Sequence, residues 1–435
     1  KYNVSVDTIQ QLPVQVRQAF REATSGPPGP VHLDLSGNAG EEVTTVEDDL
    51  EIVIEEPFSQ YPPFRPEPEH ERVRQAAQLL AQAQRPVIVA GGGATASQAG
   101  TEIVELAEML SIPVATSLNG KGLIGDDHPL AVGVVGTYSR WCANQVVYEA
   151  DLVLFVGSHT SDQVTNVWTV PRQGTPVIQI DLDSVELGRS YPNQVSLLGD
   201  AKVTLRRLIE VLEPIGSGTP WTQRAKELVG AWRKELEPLM SSDGVPIRPE
   251  RLCHDLTKVL PSDTVLVSDT GHAGIWTGTM VDLKYPSQSY IRCAGSLGWA
   301  FPAALGAKCA APERPVVCFT GDGGFWYHLG ELETAVRCGI NTVTVINNNR
   351  SLNQDRAGVD RAYGDQAVGN RDEMWVFNDV DFAALARSLG ANGIRVERPG
   401  DLEDALAQAV ESKKPTVVDV VSDKDIVAPL ARTPS

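Results

Sequence analysis

The stretch from Gly321 to Asn349, GDGGFWYHLGELETAVRCGINTVTVINNN, sets a carboxylate in a glycine turn and an amide at the end of an apolar run 27 positions later. A carboxylate is a poor direct partner for phosphate. With a divalent cation between them it becomes a good one. Asp322 and Asn349 supply a carboxylate oxygen and an amide oxygen, ligands suited to a hard ion such as Mg²⁺ that can bridge two phosphates. Gly321, Gly323 and Gly324 let the backbone come close, and a helix expected to begin near Phe325 adds N–H donors and the positive end of its dipole. Taken singly, GDG reads as a turn and NNN as a loop. Their spacing lets one helix cross a sheet and a neighbouring parallel strand return, which brings both ligands to the same edge. The pair reads as a diphosphate and metal site.

Such a site needs an open parallel sheet whose strands end at the ligand. Short apolar runs separated by helical patterns recur in two blocks. The first holds RPVIVAGGG, IPVATSLNG, ADLVLFVGS and TPVIQIDLD; the second holds DTVLVSDTG, SYIRCAG, PVVCFTGDG, TVTVINNN and PTVVDVVSD. Strands alternating with helices imply an α/β fold with mostly parallel sheets covered on both faces. The expected organisation is two doubly wound, open-sheet domains plus the tail of a third. Residues 1–44 carry one amphipathic helix (LPVQVRQAFREATSG) and a short strand, too little to fold alone, and 45–70 is a proline-rich linker. A middle domain follows at 71–212, then a connection with its own helix at 213–245, and the site-bearing domain at 246–435.

Composition removes several function classes. The 435 residues carry a net charge of −19 with no basic run, which argues against nucleic acid and speaks to solubility. Six cysteines are scattered without C-x-x-C spacing, so neither a disulfide framework nor a zinc site is expected, and a reducing cytoplasm fits. No apolar run approaches a membrane span, and the first residues, KYNVSVDTIQQLP, have no signal-peptide build.

At this point the chain resembles the thiamine-diphosphate-dependent enzymes, whose Gly-Asp-Gly is followed by about thirty residues to an Asn pair. By that resemblance Asp322, Asn349 and the backbone carbonyl of Ser351 hold Mg²⁺. AGSLGWAFPAALGAK resembles the segment that supports the aminopyrimidine ring, with Leu297 propping the bent cofactor and the Gly295 carbonyl accepting from the ring amine. SDTGHAG resembles the second diphosphate loop, lined by Thr270, Gly271, His272 and Ala273. His272 is open to two readings, a phosphate donor or a structural histidine. Leu352, Asn353 and Gln354, in the loop RSLNQDRAGVDRAYGDQ, would face the substrate. The likeness covers essentially the whole chain and is closest to acetohydroxyacid synthase, through RQAFREATSGPPGPVHLDL, IPVATSLNGKGLIG, VVGTYS and IDLDSVELGRSYP.

The resemblance implies carbon–carbon lyase or carboligase chemistry on a 2-oxo acid or similar small carbonyl compound. It also implies a homodimer or a pair of dimers, with LGWAF (Leu297, Trp299, Phe301) at or beside an interface, or alternatively Trp299 and Phe301 packing against their own sheet. Residues 1–44 look like the last helix and strand of a pyrimidine-binding domain, so the sequence reads as part of a longer chain. The activating glutamate of the family is expected outside it, and residues 1–435 alone are not expected to turn over substrate. Synthases bind FAD through an Arg-Phe-Asp-Asp-Arg run; the matching SHTSDQ lacks both arginines and the aromatic ring. That argues against FAD, although Gly91–Gly93 and Asp181–Asp183 could still contact a nucleotide. Two alternatives are carried forward. One is a CoA-thioester lyase or decarboxylase of the same family, for which Lys121, Arg140 and Arg189 are the candidate basic residues. The other is a non-catalytic α/β nucleotide-binding protein.

Overall fold

The computed structural model describes residues 1–35, 50–216, 218–364, 369–432 and 434. Fourteen strands are described: β1 (Tyr2–Val6), β2 (Val31–Leu35), β3 (Pro86–Ala90), β4 (Val114–Thr116), β5 (Ala131–Val134), β6 (Leu152–Val156), β7 (Val177–Asp181) and β8 (Asn193–Leu198), then β9 (Val265–Ser268), β10 (Ser289–Arg292), β11 (Val316–Gly321), β12 (Val343–Asn348), β13 (Asn392–Val396) and β14 (Thr416–Val421). They form a two-stranded ladder, β1–β2, and two six-stranded sheets of order β5-β4-β3-β6-β7-β8 and β10-β9-β11-β12-β14-β13. Every pairing in both large sheets is parallel. The chain is therefore α/β with two open, doubly wound parallel sheets, as the alternation of apolar runs and helices implies.

Central strands are buried almost throughout, as LVLFV of β6 and VLVS of β9 are, which is why apolar residues dominate them. Three edge strands escape recognition from sequence, β5 although it is fully buried. β5 is only AVGV, β8 (NQVSLL) mixes polar and apolar residues, and β13 (NGIRV) is half-buried for most of its length. β1 escapes as well, because its alternating YNVSV buries Val6 alone. The upper end of the 1–44 segment and the start of the linker at 45 lie outside the described residues.

The two sheets share one core. Val87, Val89 and Phe155 of the first pack in the same cluster as Leu266, Val317 and Phe319 of the second. The helix Pro220–Met240, foreseen only as part of a connection, is built into this seam. It buries Trp221, Leu228, Trp232 and Leu236, and Trp221 Nε1 donates to the Pro86 carbonyl at 2.8 Å. A buried charge cluster clamps the same seam. Asp126 accepts from Lys121 Nζ (2.9 Å) and pairs with Arg140 (2.9 Å), which pairs in turn with Asp282 (2.6 Å). Such a network is costly unless complete, and here each charge has its partner. Among the described residues no helix is long and apolar enough to cross a membrane.

Candidate active site

β11 and β12 are direct neighbours, with Gly321 opposite Asn347, so the chain leaves both strands at the same edge. Asp322 and Asn349 come just after those ends, where the 27-residue spacing puts them. A cavity of about 430 Å³ opens there. Its walls include Thr270, Gly271, His272 and Ala273 from the loop after β9, and Gly295 and Leu297 from the turn after β10. Gly321, Asp322, Gly323 and Gly324 come from the end of β11, and Asn349, Ser351, Leu352, Asn353 and Gln354 from the segment after β12. All the cofactor and metal residues named from sequence line this one cavity.

Local geometry differs from the expectation at the helix start. The helix runs Asp322–His328, so Asp322 is its first residue and the glycines sit inside its first turn. Two of those glycines serve packing within the protein. A Cβ on Gly324 would fall 2.3 Å from Asp269 Oδ2, and one on Gly323 would fall 2.6 Å from Leu352 Cδ2. A Cβ on Gly321 meets nothing within 4 Å, so that position alone keeps open space at the strand end.

Alternation explains the three asparagines. Successive strand residues face opposite ways, so Asn347 and Asn349 line the cavity while Asn348 points to the other side. There Asn348 Nδ2 donates to Asp419 Oδ1 (2.8 Å), and Asp419 also accepts from the Phe382 N–H and from Arg395 (3.0 Å each). After Asn349 the chain turns through Arg350 at φ +55°, a left-handed conformation costing roughly 1 kcal/mol for a side-chain-bearing residue. The turn is held by an antiparallel pairing: Leu352 N–H donates to the Trp375 carbonyl (2.8 Å) and Phe377 N–H to the Arg350 carbonyl (2.7 Å). Ser351 N–H donates to Asn349 Oδ1 at 3.1 Å, which aims the amide oxygen.

The chemistry of this donor set fits a hard cation. Asp322 is 2% exposed and has no cationic partner among the described residues. Burial pushes its carboxyl up to about 7, although backbone N–H groups, those of Gly323 and Ser351 among them, pull the other way. Asn347 Oδ1 and Ser351 Oγ beside it are buried without partners. A buried carboxylate flanked by unsatisfied oxygens is what a divalent ion would complete. No group of three or more His, Cys, Asp or Glu able to hold a metal occurs among the described residues, so this site rests on one carboxylate with amide and carbonyl oxygens.

Sequence reasoning overlooked Asp269, the residue that ties the loops together. Its carboxylate accepts from Thr270 N–H (2.9 Å), Gly298 N–H (3.0 Å) and Thr320 Oγ1 (2.8 Å), joining the ends of β9, β10 and β11. Burial raises its pKa while those donors lower it. The signal was present in SDTG, an acid next to a glycine turn at a strand end. Overlooked too were Asn347, Arg292 and two middle-domain residues, Tyr138 and Gln163, which reach the cavity across the seam. His272 has its pKa lowered to about 4 by burial, so its ring is neutral near pH 7 and offers a phosphate one N–H without a charge. Asn353 lines the wall, but its Nδ2 donates to the Ile426 carbonyl (2.9 Å). The last residues of the loop ending in GDQ lie outside the described residues.

Packing bears on two further expectations. Phe301 is 1% exposed and packs edge-on against Phe325 (5.1 Å), while Trp299 is half-buried on the same core. The apolar helix turn fills its own sheet, so these rings are not an open interface patch. Lys121 and Arg140 are consumed by the buried charge cluster, Arg189 pairs with Glu186 on the surface, and none of the three lines the second cavity, that of the middle domain. Gly91–Gly93 and Asp181–Asp183 lie by the strand ends of the first sheet, and most of them line this second cavity, of about 710 Å³. Its glycine wall abuts protein: a Cβ on Gly93 would sit 3.0 Å from Gly157 Cα, and one on the adjacent Gly91 2.4 Å from the Gly157 carbonyl oxygen.

Residues 73–208 match the model of the thiamine pyrophosphate enzyme central domain, and 269–420 that of the thiamine pyrophosphate enzyme C-terminal, TPP-binding domain. The chain is 34% identical over 442 residues to a probable acetolactate synthase large subunit of Methanocaldococcus jannaschii, covering 99% of this chain and 73% of that protein. It is 30% identical to glyoxylate carboligase of Escherichia coli O157:H7 (98% of this chain, 72% of that protein). It is 28% identical to acetolactate synthase isozyme 3 large subunit of Escherichia coli K12 (97% and 74%).

Proposed function

We propose, since the chain belongs to the thiamine pyrophosphate enzymes, that it catalyses carboligation of a 2-oxo acid with a second small carbonyl compound. The observation that carries this reading is the convergence on one cavity of Asp322, Asn349 and Ser351 with the Thr270–Ala273 loop and Leu297. Relatives at about 30% identity include both acetolactate synthases and a glyoxylate carboligase, which supports the reaction class without choosing the product.

Asp322, Asn349 and the Ser351 carbonyl would hold Mg²⁺, and Thr270 to Ala273 with the first turn of the Asp322–His328 helix would face the diphosphate. Leu297 would prop the cofactor and the Gly295 carbonyl would accept from its ring amine. When bound, thiamine diphosphate supplies a carbon nucleophile that adds to a carbonyl and accommodates the electron pair released when the neighbouring bond breaks. In the net reaction CO₂ leaves the first 2-oxo acid, one carbon–carbon bond forms to the carbonyl carbon of the second substrate, and its oxygen takes one proton. The protein's task is geometry and exclusion of water. Leu352 covers Gly323, the 350–352 segment is pinned against 375–377, and Tyr138 and Gln163 close the side facing the first sheet.

The absence of Lys121, Arg140 and Arg189 from the lining of the second cavity favours carboligation over a CoA-thioester lyase. Substitution of SHTSDQ for the arginine-containing run weighs against FAD in the second cavity. A homodimer or pair of dimers remains our reading from the family likeness, and six free cysteines support a reducing, cytoplasmic setting. The full-length protein with Mg²⁺, thiamine diphosphate and pyruvate should release CO₂ and form a longer 2-hydroxy ketone or acid. Absence of both products with a range of 2-oxo acids would refute the reading, and light scattering of the same sample tests the assembly.

A further inference from the structure

We propose that Arg292 is the recognition residue for the carboxylate of the acceptor substrate, the compound that receives the new carbon–carbon bond. This rests on the carboligase reading above and deepens it. Arg292 ends β10 and lines the cavity, yet among the described residues its guanidinium forms no hydrogen bond or ion pair, and its Nε is buried without a partner. Buried guanidinium nitrogens are almost always paired, because removing them from water is costly. An unpaired one in a ligand cavity is waiting for an anion.

Position decides which anion. Among the described cavity-lining residues Arg292 is the one permanently cationic group; Asp322 and Asp355 are acidic, and the middle domain contributes the uncharged Tyr138 and Gln163. In the sheet order β10-β9-β11-β12, Arg292 is level with Ser268 and hence with Phe319. Two strand spacings, about 10 Å, separate it laterally from the β11 end, and three, about 14 Å, from β12. The cavity is therefore polarised, with metal-binding oxygens at the β11–β12 end and a lone guanidinium at the β10 end. A diphosphate held through Mg²⁺ belongs to the first end. The anion for Arg292 is a second one.

A 2-oxo acid donor loses its carboxylate as CO₂, so its charge disappears during bond cleavage. Pairing that group with a fixed guanidinium would stabilise the ground state more than the transition state and slow the step. An acceptor 2-oxo acid keeps its carboxylate throughout. Binding it at Arg292 stabilises both states, fixes which face of the acceptor meets the nucleophile, and discriminates against an aldehyde of the same length.

The test uses the full-length protein with Mg²⁺ and thiamine diphosphate, pyruvate as donor, and two competing acceptors that differ by the carboxylate: 2-oxobutyrate and propanal. Arg292→Met should lower kcat/KM for 2-oxobutyrate roughly ten- to a hundredfold, chiefly through KM, while the value for propanal stays within about threefold. Arg292→Lys should recover part of the loss, and thiamine diphosphate affinity by calorimetry should be unchanged in both variants. Equal losses for the two acceptors, no loss for either, weakened cofactor binding, or a changed oligomeric state without changed acceptor preference would each overturn the proposal. A wild-type protein that ligates neither acceptor would refute the carboligase reading itself, a result distinct from a wild type that ligates but ignores Arg292.

Discussion

The two six-stranded parallel sheets have the same architecture and each opens a crevice at its strand ends, but they treat their acidic residues differently. In the first sheet Asp200, fully buried, is spoken for by Arg65 (3.1 Å), Ser97 Oγ (2.8 Å) and the Val203 N–H (3.1 Å). Asp181 accepts from the Asp183 N–H at 2.9 Å. In the second sheet Asp269 and Asp419 are satisfied by side-chain and backbone donors, while buried Asp322 is held by backbone N–H groups alone and has the unpartnered Asn347 Oδ1 and Ser351 Oγ beside it. A shared fold supplies two crevices, and one buried carboxylate flanked by those two unpartnered oxygens marks the one built for a charged ligand.

The sharpest way to break that contrast is to remove Asp322. Asp322→Ala should weaken Mg²⁺-dependent thiamine diphosphate binding by on the order of a hundredfold or more, because a metal ligand is lost outright. Asp181→Asn in the first sheet should leave the affinity unchanged. Calorimetry on both variants compares the sheets directly, and equal effects would dissolve the distinction.

A second cut lies within one strand end. Asn349→Ala should cost about ten- to a hundredfold in Mg²⁺ affinity with modest change in melting temperature. Asn348→Ala should do the reverse, losing about 1–3 kcal/mol of stability by stranding part of the Asp419 network while the metal affinity holds. Denaturant unfolding beside metal titration separates them. Were Asn348 the metal-sensitive position, the alternation argument would fail.

What could be read from sequence follows the same physics. Central strands were legible because burial on both faces demands mostly apolar runs; edge strands β5, β8 and β13 were not, since one side of each lacks a neighbour and their sequences are short or mixed. Asp322 and Asn349 were legible because chain spacing alone sets two ligands at neighbouring parallel strand ends. Asp269 and Arg292 were not, because their importance lies in contacts made, or left unmade, with segments far along the chain. Trp299 and Phe301 stayed open between two readings because an apolar turn beside a ligand segment looks the same whether it faces a partner or its own core. Only packing tells them apart.

Packing also predicts how the glycines differ from the ligands. Gly91→Ala would push a Cβ to within 2.4 Å of the Gly157 carbonyl oxygen and distort the first sheet's crevice. It should lower stability by about 1–3 kcal/mol, with thiamine diphosphate affinity preserved. Thermal unfolding with and without cofactor reads both quantities. A large loss of affinity from this position would mean that the two crevices are coupled through their common core.

The smallest expected effect is at His272. Burial lowers its pKa to about 4, below the ordinary value of 6.5, so the folded protein binds fewer protons here than the unfolded chain between those two values. The stability that depends on a neutral ring is complete above about pH 6.5 and is lost progressively as pH falls toward 4. His272→Gln keeps an N–H donor of similar reach and removes the titration. Thiamine diphosphate affinity at pH 7.5 should change by no more than about threefold, because a neutral donor replaces a neutral donor. The drop in melting temperature between pH 7 and pH 5 should shrink by on the order of a degree or two. If affinity in the wild type instead rises steeply below pH 6.5 and the glutamine variant abolishes that rise, then His272 meets the diphosphate as a cation. The charge at this end of the cavity would then come from the loop after β9 as well as from the metal.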